Sequence, residues 1–270
     1  MNNKKYGILG YTTINIGDDI QSFVTSTLIN ISYIVNRDDY DLVYDYNTGQ
    51  LVNNLTETIY LIMNGWFMHN LNWKTGSNKI KFPIKNNKII PIYISTCLSK
   101  DVSELYTNEC IEHYKKYSPI MCRDKTTFNL LKNKNIDVVL YGCLTQILNI
   151  ENIPDNTDYE KKYKDSVIYI DCLEYWNKRN KCEKAYYFEH YINKLETMNP
   201  KDRINYAQDL LSKYKYAKKI YSSRLHAFLP CRAMGLDVKY VGDSNYRVCE
   251  LIKNIPDKTK LFEEFLHKVK

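Results

Sequence analysis

The sequence predicts an α/β protein in which parallel sheets are covered by helices on both faces. Short, continuous apolar runs alternate with amphipathic stretches along the 270 residues, and this alternation is typical of parallel sheets. A polar, turn-rich segment, "NIENIPDNTDYEKKYKD" at 149–165, separates two such alternating sets. Two α/β halves with a connector between them would form a cleft, and ligands of such sheets bind at the carboxyl ends of strands, beside helix N-termini.

The first set occupies residues 1–148, which we expect to form an N-terminal domain. Apolar runs predict strands at 6–11, 41–44, 58–65, 89–95, 119–123 and 137–142. Amphipathic patterns predict one helix that starts at Asp18 and runs to about residue 29, and two more at 102–117 and 125–133.

The second set occupies residues 166–270, which we expect to form a C-terminal domain, with 149–165 as the linker. It contains predicted strands at 166–171, 218–223 and 237–242, a short strand within 184–192, and helices at 200–217, 224–234, about 245–254 and 258–269. Pro200 in a first helical turn and Gly235 just after a helix end are the residues expected at these places.

The composition, with 44% hydrophobic and 26% charged residues, is that of a soluble globular protein. The formal charge of +7 includes no long basic run, which indicates a weak preference for anionic ligands and disfavours nucleic acid as a partner. The N-terminal "MNNKKYGILGY" lacks the apolar segment of a signal peptide, and no run of 18 apolar residues predicts a membrane span. Eight cysteines without a C-x-x-C pair disfavour a structural zinc site and fit buried thiols in a reducing compartment, so we expect a cytoplasmic protein.

The turn "TINIGDDIQS" at 13–22 is the first that could carry chemistry. Gly17 would permit a tight turn after the first strand, and Asp18 or Asp19 could cap the next helix, a contribution of about 1 kcal/mol. Alternatively, the backbone N–H groups of this helix face an anion, while the two carboxylates orient a sugar hydroxyl.

The turn "MNGWFMHN" at 63–70 is the second. Gly65 would let a ligand approach the backbone closely, and Trp66 or Phe67 could form an apolar wall for a sugar face. A loop packed by its own aromatic residues is the alternative.

The third turn, "CRDKTTFNLLKN" at 122–133, places Arg123 at the end of a strand and Asp124 at a helix cap. An arginine there can bind a carboxylate or phosphate through two parallel hydrogen bonds. A structural arginine paired with an acid of the other domain is the alternative.

The fourth turn lies in "YSSRLHAFLPCRAMG" at 221–235. Ser223 could cap the next helix, with Arg224 and His226 in its first turn and Leu225 directed into the core. A helix N-terminus carries about half a positive charge, so it attracts an anion and disfavours a protonated histidine. A histidine beside an arginine at this place is therefore a candidate site, although a lone histidine in a helix is usually structural.

Three segments, "NIGDDIQS", "RDKTTFNLL" and "SSRLHAFLPCRAMGLDVKYVG", occur in an order and spacing that resemble the polysaccharide pyruvyl transferase family. The resemblance covers about residues 6–255, and the "SRLHA" segment is its most specific part. It implies two Rossmann-like domains facing a cleft, as in GT-B glycosyltransferases. It also implies transfer of a pyruvyl group from phosphoenolpyruvate to a hexose or N-acetylhexosamine, usually closing a cyclic ketal across two hydroxyls.

Site roles follow from the resemblance residue by residue. Arg224 matches a donor ligand, His226 a catalytic acid or base, and Asp18 the acid after the first glycine, so these three are the predicted catalytic residues. The predicted substrate-binding residues are Arg123, Gly17, Asp19, Gly65, Ser223 and His190, the last on a loose match within "FEHYI". No metal is expected. No cofactor is expected either, since phosphoenolpyruvate takes part as the donor substrate.

The sequence departs from the family at the turn after the strand at 58–65. Relatives often have two or three glycines there, whereas this chain has only Gly65, followed by Trp66. The second domain is also compact. Both departures concern the acceptor pocket, so the acceptor could be a nucleotide-linked sugar, a lipid-linked sugar or a finished glycan. Two alternatives remain open: a GT-B glycosyltransferase that uses a nucleotide sugar, and a non-catalytic glycan-binding relative.

Overall fold

The computed structural model describes residues 4–67, 82–243, 251–253 and 257–270, and it confirms an α/β fold with parallel sheets. The first set contains the strands β1 (Lys5–Gly10), β2 (Ile31–Asn36), β3 (Val43–Asp45), β4 (Ile59–Ile62), β5 (Trp66–Phe67), β6 (Ile89–Ile92), β7 (Cys97–Leu98), β8 (Ile120–Cys122) and β9 (Val138–Leu140). Its helices are α1 (Ile16–Ser26), α2 (Asn108–Lys116) and α3 (Lys125–Lys132), with 3-10 helices at Ser103–Tyr106 and Leu144–Ile147.

The main sheet of the first set has the order β3-β2-β1-β4-β6, in which only β3 is antiparallel to its neighbour. Two short parallel pairs, β5 with β7 and β8 with β9, extend it. A bridge between Thr96 and Cys122 brings β8 beside the end of β6. The carboxyl ends of β4, β6 and β8 therefore lie at one edge.

The second set has one fully parallel sheet of order β11-β10-β12-β13. Its strands are β10 (Val167–Ile170), β11 (Ala185–Phe188), β12 (Lys219–Ser222) and β13 (Val238–Tyr240). Its helices are α4 (Thr157–Tyr163), α5 (Leu173–Lys178), α6 (Pro200–Tyr214), α7 (Leu225–Ala233) and α8 (Lys258–Val269), with 3-10 helices at Ile150–Asn152 and Asn193–Thr197.

Helix α1 connects the two sheets through a shared core. Its buried residues Ile16, Ile20 and Val24 belong to the same cluster as Ala207 of α6 and Ala227 of α7. Burial of a residue of this kind contributes about 1.5–3 kcal/mol, so this packing fixes α1 against both halves. The start of α1 is thereby held at the boundary where the two sets meet.

Several elements differ from the predicted ones. Strand β2 was not predicted. Its run "ISYIVN" begins only a short turn after α1, so its apolar residues continue the apolar pattern of the predicted helix. The short strands β5 and β7 and the short helix α5 were also missed, since two to six residues are too few for a periodic pattern. The predicted helix at 102–117 divides into a 3-10 turn and α2.

The predicted helix at 245–254 lies mostly outside the described residues, of which 251–253 are helical. The predicted linker contains α4, and α8 packs through Leu261 and Phe265 against Ile62 and Ile92 of the first sheet. The domain boundaries at 149–165 stay a prediction.

Candidate active site

Polar side chains from both sets meet where parallel strands end. Asn64 follows β4, Ser95 follows β6 and Arg123 follows β8, while His226 comes from the first turn of α7 in the second set. Arg123 contacts the other three residues, through hydrogen bonds to Ser95 and Asn64 and a contact with His226. This is the place where ligands of open α/β sheets bind.

Arg123 is buried, with 4% of its surface exposed, and its guanidinium is held by neutral acceptors. Nε donates to the Ser95 carbonyl at 3.0 Å, and Nη2 donates to the side-chain oxygens of Gln21 and, at 3.3 Å, of Asn64. Among the residues that the structure describes, no carboxylate pairs with it. The described residues therefore show no acid partner for Arg123 from the other set, and its charge is buried among neutral acceptors. A buried charge of this kind is costly unless it is compensated.

His226 faces this guanidinium. Its Nε2 lies 3.5 Å from Arg123 Nη1, at the outer limit of a hydrogen bond. Because arginine can only donate, a hydrogen bond at this contact requires His226 Nε2 to be the acceptor. Arg123 and His226 are 103 residues apart in the sequence and come from different sets, so the fold assembles this pair.

Gly17 lies against the same histidine. A Cβ added at Gly17 would be 3.3 Å from His226 Cβ and 3.0 Å from Asn15 Oδ1. The glycine is the second residue of α1 and forms no tight turn, contrary to the prediction. Its function in the structure is to let α1 and α7 approach each other.

Asn15 caps α1, because its side-chain oxygen accepts from the Gly17 N–H at 3.1 Å. The prediction that Asp18 or Asp19 caps this helix is wrong, since a residue inside the first turn points away from the terminal N–H groups. The prediction for the third turn is confirmed: Asp124 caps α3 by accepting from the Thr127 N–H at 2.9 Å.

Asp18 connects to Arg123 through Gln21. Gln21 Nε2 donates to Asp18 Oδ1 at 3.3 Å, while Gln21 Oε1 accepts from Arg123. The Thr13 hydroxyl donates to Asp18 Oδ2 at 2.9 Å, and Arg37 Nη1 lies 3.9 Å from the same oxygen. Burial raises the pKa of Asp18, and the Arg37 charge and the Thr13 hydrogen bond act against that rise. The structure thus places Asp18, Arg123 and His226 in one network.

Asp19 has a different environment. Its carboxylate accepts from Arg203 Nε at 3.0 Å and from Nη2 at 2.8 Å, and both side chains are almost fully buried. Arg203 belongs to α6, so the pair fastens α1 to α6. The structure does not bring Asp19 into contact with Arg123 or His226.

Arg224 is the N-cap residue of α7, and its side chain is 29% exposed. Its Nε donates to Asp171 Oδ2, and its guanidinium carbon lies 4.1 Å from the centre of the Tyr191 ring. Asp171 directly follows β10 and has a φ of 49°, a left-handed conformation that is uncommon outside glycine and asparagine. Arg224 is thus oriented by an acid and an aromatic ring beside His226.

The prediction that Ser223 caps α7 is wrong. Its hydroxyl donates to the Asp171 carbonyl at 2.7 Å, whereas the preceding Ser222 accepts from the Arg224 N–H at 3.0 Å. The reason is that the helix begins one residue later than predicted, which moves Ser223 away from the capping position.

His190 and Gly65 lie inside the protein. His190 is fully buried with Nε2 3.0 Å from the Tyr214 hydroxyl, and burial lowers its pKa to about 3, with a further effect from Arg224. The ring is therefore neutral at physiological pH. A Cβ at Gly65 would come within 2.9 Å of Leu9 Cδ1 and 3.2 Å of the Tyr11 hydroxyl, so the close approach is to the protein's own side chains.

Five residues of this region were not singled out from the sequence: Gln21, Arg37, Asn64, Asp171 and Tyr191. Asn64 and Asp171 end predicted strands and could have been found by inspecting every strand end. Arg37 follows β2, the strand that was missed. Gln21 and Tyr191 carry no local signal, because their contacts come from distant parts of the chain.

Within the described ranges, no group of three or more His, Cys, Asp or Glu side chains is arranged to hold a metal ion. None of the helices seen in those ranges is both long and apolar enough to cross a membrane. The cysteines that the structure describes are free thiols, and all but Cys182 are buried.

Comparison with known proteins gives a family and a fold. Residues 15–235 match a family model described as polysaccharide pyruvyl transferase. A crystal structure of a functionally uncharacterized protein from Klebsiella pneumoniae subsp. pneumoniae is similar with a TM-score of 0.52 and 16% identity, over 93% of this chain and 87% of that chain. At this identity the likeness shows the fold alone. No protein with a curated description matches the chain.

Proposed function

The chain belongs to the polysaccharide pyruvyl transferase family, and we propose that it transfers the pyruvyl group of phosphoenolpyruvate to two hydroxyls of a sugar, forming a ketal. The acceptor is a hexose or N-acetylhexosamine of a glycan or glycan precursor. The two sets of elements act as Rossmann-like domains in a GT-B-like arrangement, with the site between them. No cofactor takes part, and a cytoplasmic location is expected.

The observation that carries this proposal is the buried guanidinium of Arg123 beside His226, which among the described residues has neutral hydrogen-bond acceptors and no ion-paired carboxylate. Phosphoenolpyruvate has a carboxylate and a phosphate. A buried arginine can bind each of these groups through charge-assisted hydrogen bonds. Because its other nitrogens are held by Ser95, Gln21 and Asn64, Arg123 is already oriented before the donor arrives. An oriented group loses little entropy on binding.

His226 acts as the acid–base group. A sugar hydroxyl gives its proton to the imidazole of His226 and attacks C2 of the donor, and the imidazole passes this proton to C3, which becomes a methyl group. The C2–O bond to phosphate then breaks as the second hydroxyl bonds to C2, and the proton of that hydroxyl leaves with the phosphate. The net change is two new C–O bonds and one new C–H bond at the donor, with one hydrogen phosphate released. The position of His226 Nε2 beside Arg123, where the donor binds in this proposal, suits the first step.

Arg224 and Asp18 have supporting roles in this proposal. Arg224, oriented by Asp171, provides a second positive charge for the donor. Asp18 orients Gln21 and through it Arg123. Asp19 and His190 are already engaged by Arg203 and Tyr214, which favours structural roles for both.

The test is phosphate release from phosphoenolpyruvate in the presence of sugar acceptors, with nucleotide release from nucleotide sugars as the parallel assay. Arg123→Lys keeps the charge but loses the planar fork, so we expect donor affinity to fall by about 2–3 kcal/mol, or roughly 30- to 150-fold. Arg179→Lys is the matched control, because Arg179 lies outside the site and stacks on Trp176 at 3.3 Å. Nucleotide release without phosphate release, or equal donor affinity in Arg123→Lys and wild type, would contradict the proposal.

A further inference from the structure

Tyr191 is a half-exposed aromatic residue at the edge of the site, and the proposed function gives it no role. Its exposed fraction is 51%. Single exposed aromatic residues are common on protein surfaces and by themselves indicate nothing. Tyr191 differs from an ordinary surface tyrosine because both its backbone and its ring are fixed.

The backbone of Tyr191 is held between two hydrogen bonds that join the two sets of elements. The Ile16 N–H donates to the His190 carbonyl at 2.9 Å, and the Ile192 N–H donates to the Ile14 carbonyl at 2.8 Å. Tyr191 itself forms an antiparallel bridge with Asn15, the residue that caps α1. The segment 190–192 is therefore paired with the segment that leads into the active site.

The ring is fixed by Arg224, whose guanidinium carbon lies 4.1 Å from the ring centre. Arg224 is in turn bound to Asp171. Beside this cation the residue still has 51% of its surface exposed. Tyr191 thus presents a flat apolar surface that loses little entropy when a ligand covers it.

Two routes connect Tyr191 to His226 through neighbouring residues. Arg224, which stacks on the ring, is two residues before His226. On the other side, Asn15 is bridged to Tyr191 and is two residues before Gly17, whose added Cβ would lie 3.3 Å from His226 Cβ. Tyr191 is thus linked from two sides to residues that neighbour His226, the group that must accept a hydroxyl proton in the proposed reaction.

We propose that Tyr191 is the platform for the acceptor sugar, with the C–H face of a pyranose ring stacked on its exposed face. This inference rests on the proposed function, because it assigns the acceptor side of the same site. A pyranose has a patch of C–H groups on one face and hydroxyls at its rim, so stacking leaves the rim hydroxyls free to point towards His226. A nucleobase could also stack on tyrosine, but the sugar of a nucleotide sugar is separated from its base by a ribose and two phosphates. The reacting ring, and not the base, must lie beside His226.

The experiment is saturation-transfer NMR with methyl β-D-galactopyranoside, methyl N-acetyl-β-D-glucosaminide and uridine as probes. We expect transfer to the ring C–H protons of at least one glycoside with wild type and Tyr191→Phe, and a loss of roughly tenfold in signal with Tyr191→Ala, as for loss of a stacking partner. Tyr206→Ala is the matched control, since Tyr206 also has a cation over its ring, Lys194 at 4.0 Å, but lies outside the site. This control is expected to behave as wild type.

Phosphoenolpyruvate affinity, measured by calorimetry on the same proteins, separates a sugar contact from a positioning effect on Arg224. Because Arg224 stays bound to Asp171 in Tyr191→Ala, we expect a smaller fold-loss of donor affinity than of glycoside signal, and Tyr191→Phe, which keeps the ring, should bind the donor as wild type does. The proposal is overturned if glycoside transfer is absent from wild type, if it is equal in wild type and Tyr191→Ala, or if uridine shows the Tyr191-dependent signal. Tyr191-dependent glycoside transfer without any phosphoenolpyruvate binding would leave the platform standing and refute the proposed donor.

Discussion

At the scale of residues, neighbours in the sequence have different environments in the fold. Asp18 and Asp19 are adjacent, yet Asp18 joins the network of Gln21 and Arg123, while Asp19 is bound by Arg203. On a helix, successive side chains point about 100° apart, so two adjacent acids cannot face the same partner. Ser222 and Ser223, at and just after the end of β12, also differ: only Ser222 accepts from the Arg224 N–H, while Ser223 donates to the Asp171 carbonyl.

His226→Gln tests the acid–base role. Glutamine is close in size to histidine but cannot exchange a proton in this range of pH, so we expect an intact fold and a loss of kcat of about 10²–10⁴-fold. Single-turnover rate and melting temperature are measured on the same preparation. Lower melting temperature together with near-normal turnover would instead indicate a structural histidine.

At the scale of elements, α1 has two functions. Its N-terminus borders the site through Gly17 and Asp18, and its buried face packs on α6 and α7. The pair of Asp19 with Arg203 is the polar fastening between α1 and α6. The stability of the protein and the geometry of the site therefore depend on the same helix.

Asp19→Asn tests this fastening. The change leaves the Arg203 charge buried with neutral acceptors alone, namely the introduced amide oxygen and the carbonyls of Thr13 and Leu195. Breaking a buried pair in this way typically costs about 3–5 kcal/mol, so we expect the free energy of unfolding in urea to fall by that amount. Donor affinity of the folded protein should be unchanged.

Two further variants serve as controls for the fastening. Replacing both partners, as Asp19→Leu with Arg203→Met, removes the unpaired charge and should recover part of the loss. Glu174→Gln breaks the exposed pair with Lys178 and should leave the unfolding midpoint nearly unchanged. An equal decrease in the free energy of unfolding for Asp19→Asn and Glu174→Gln would show that the buried pair stabilises the protein no more than the exposed pair does.

At the scale of the whole molecule, buried histidine makes stability depend on pH. Burial lowers the pKa of His190 from its ordinary value of 6.5 to about 3. Between these two values the unfolded chain binds the proton and the folded protein does not, so this histidine makes the protein less stable as the pH falls through that window. The effect is absent above pH 6.5, where both states are neutral.

His190→Gln tests this dependence. The variant lacks the titrating group, so its free energy of unfolding should fall less steeply with acidification than that of wild type, by up to about 1.4 kcal/mol per pH unit. Urea denaturation at several pH values between 4 and 7 measures the difference between the two proteins. Parallel curves would contradict the assignment of a buried neutral ring.

The sequence by itself determined the fold class and most strands and helices, because burial on both faces requires continuous apolar runs and amphipathic helices. It also located the motif of Arg224 and His226 at a helix start and Arg123 at a strand end, since strand ends and helix starts can be found from local patterns. Only the tertiary structure decided which side chains meet. The contact of Arg123 with His226, the link from Asp18 through Gln21, the pair of Asp19 with Arg203 and the fixed ring of Tyr191 all join distant parts of the chain. Such contacts depend on how helices and sheets pack, and periodicity within one segment carries no information about the segment that will lie against it.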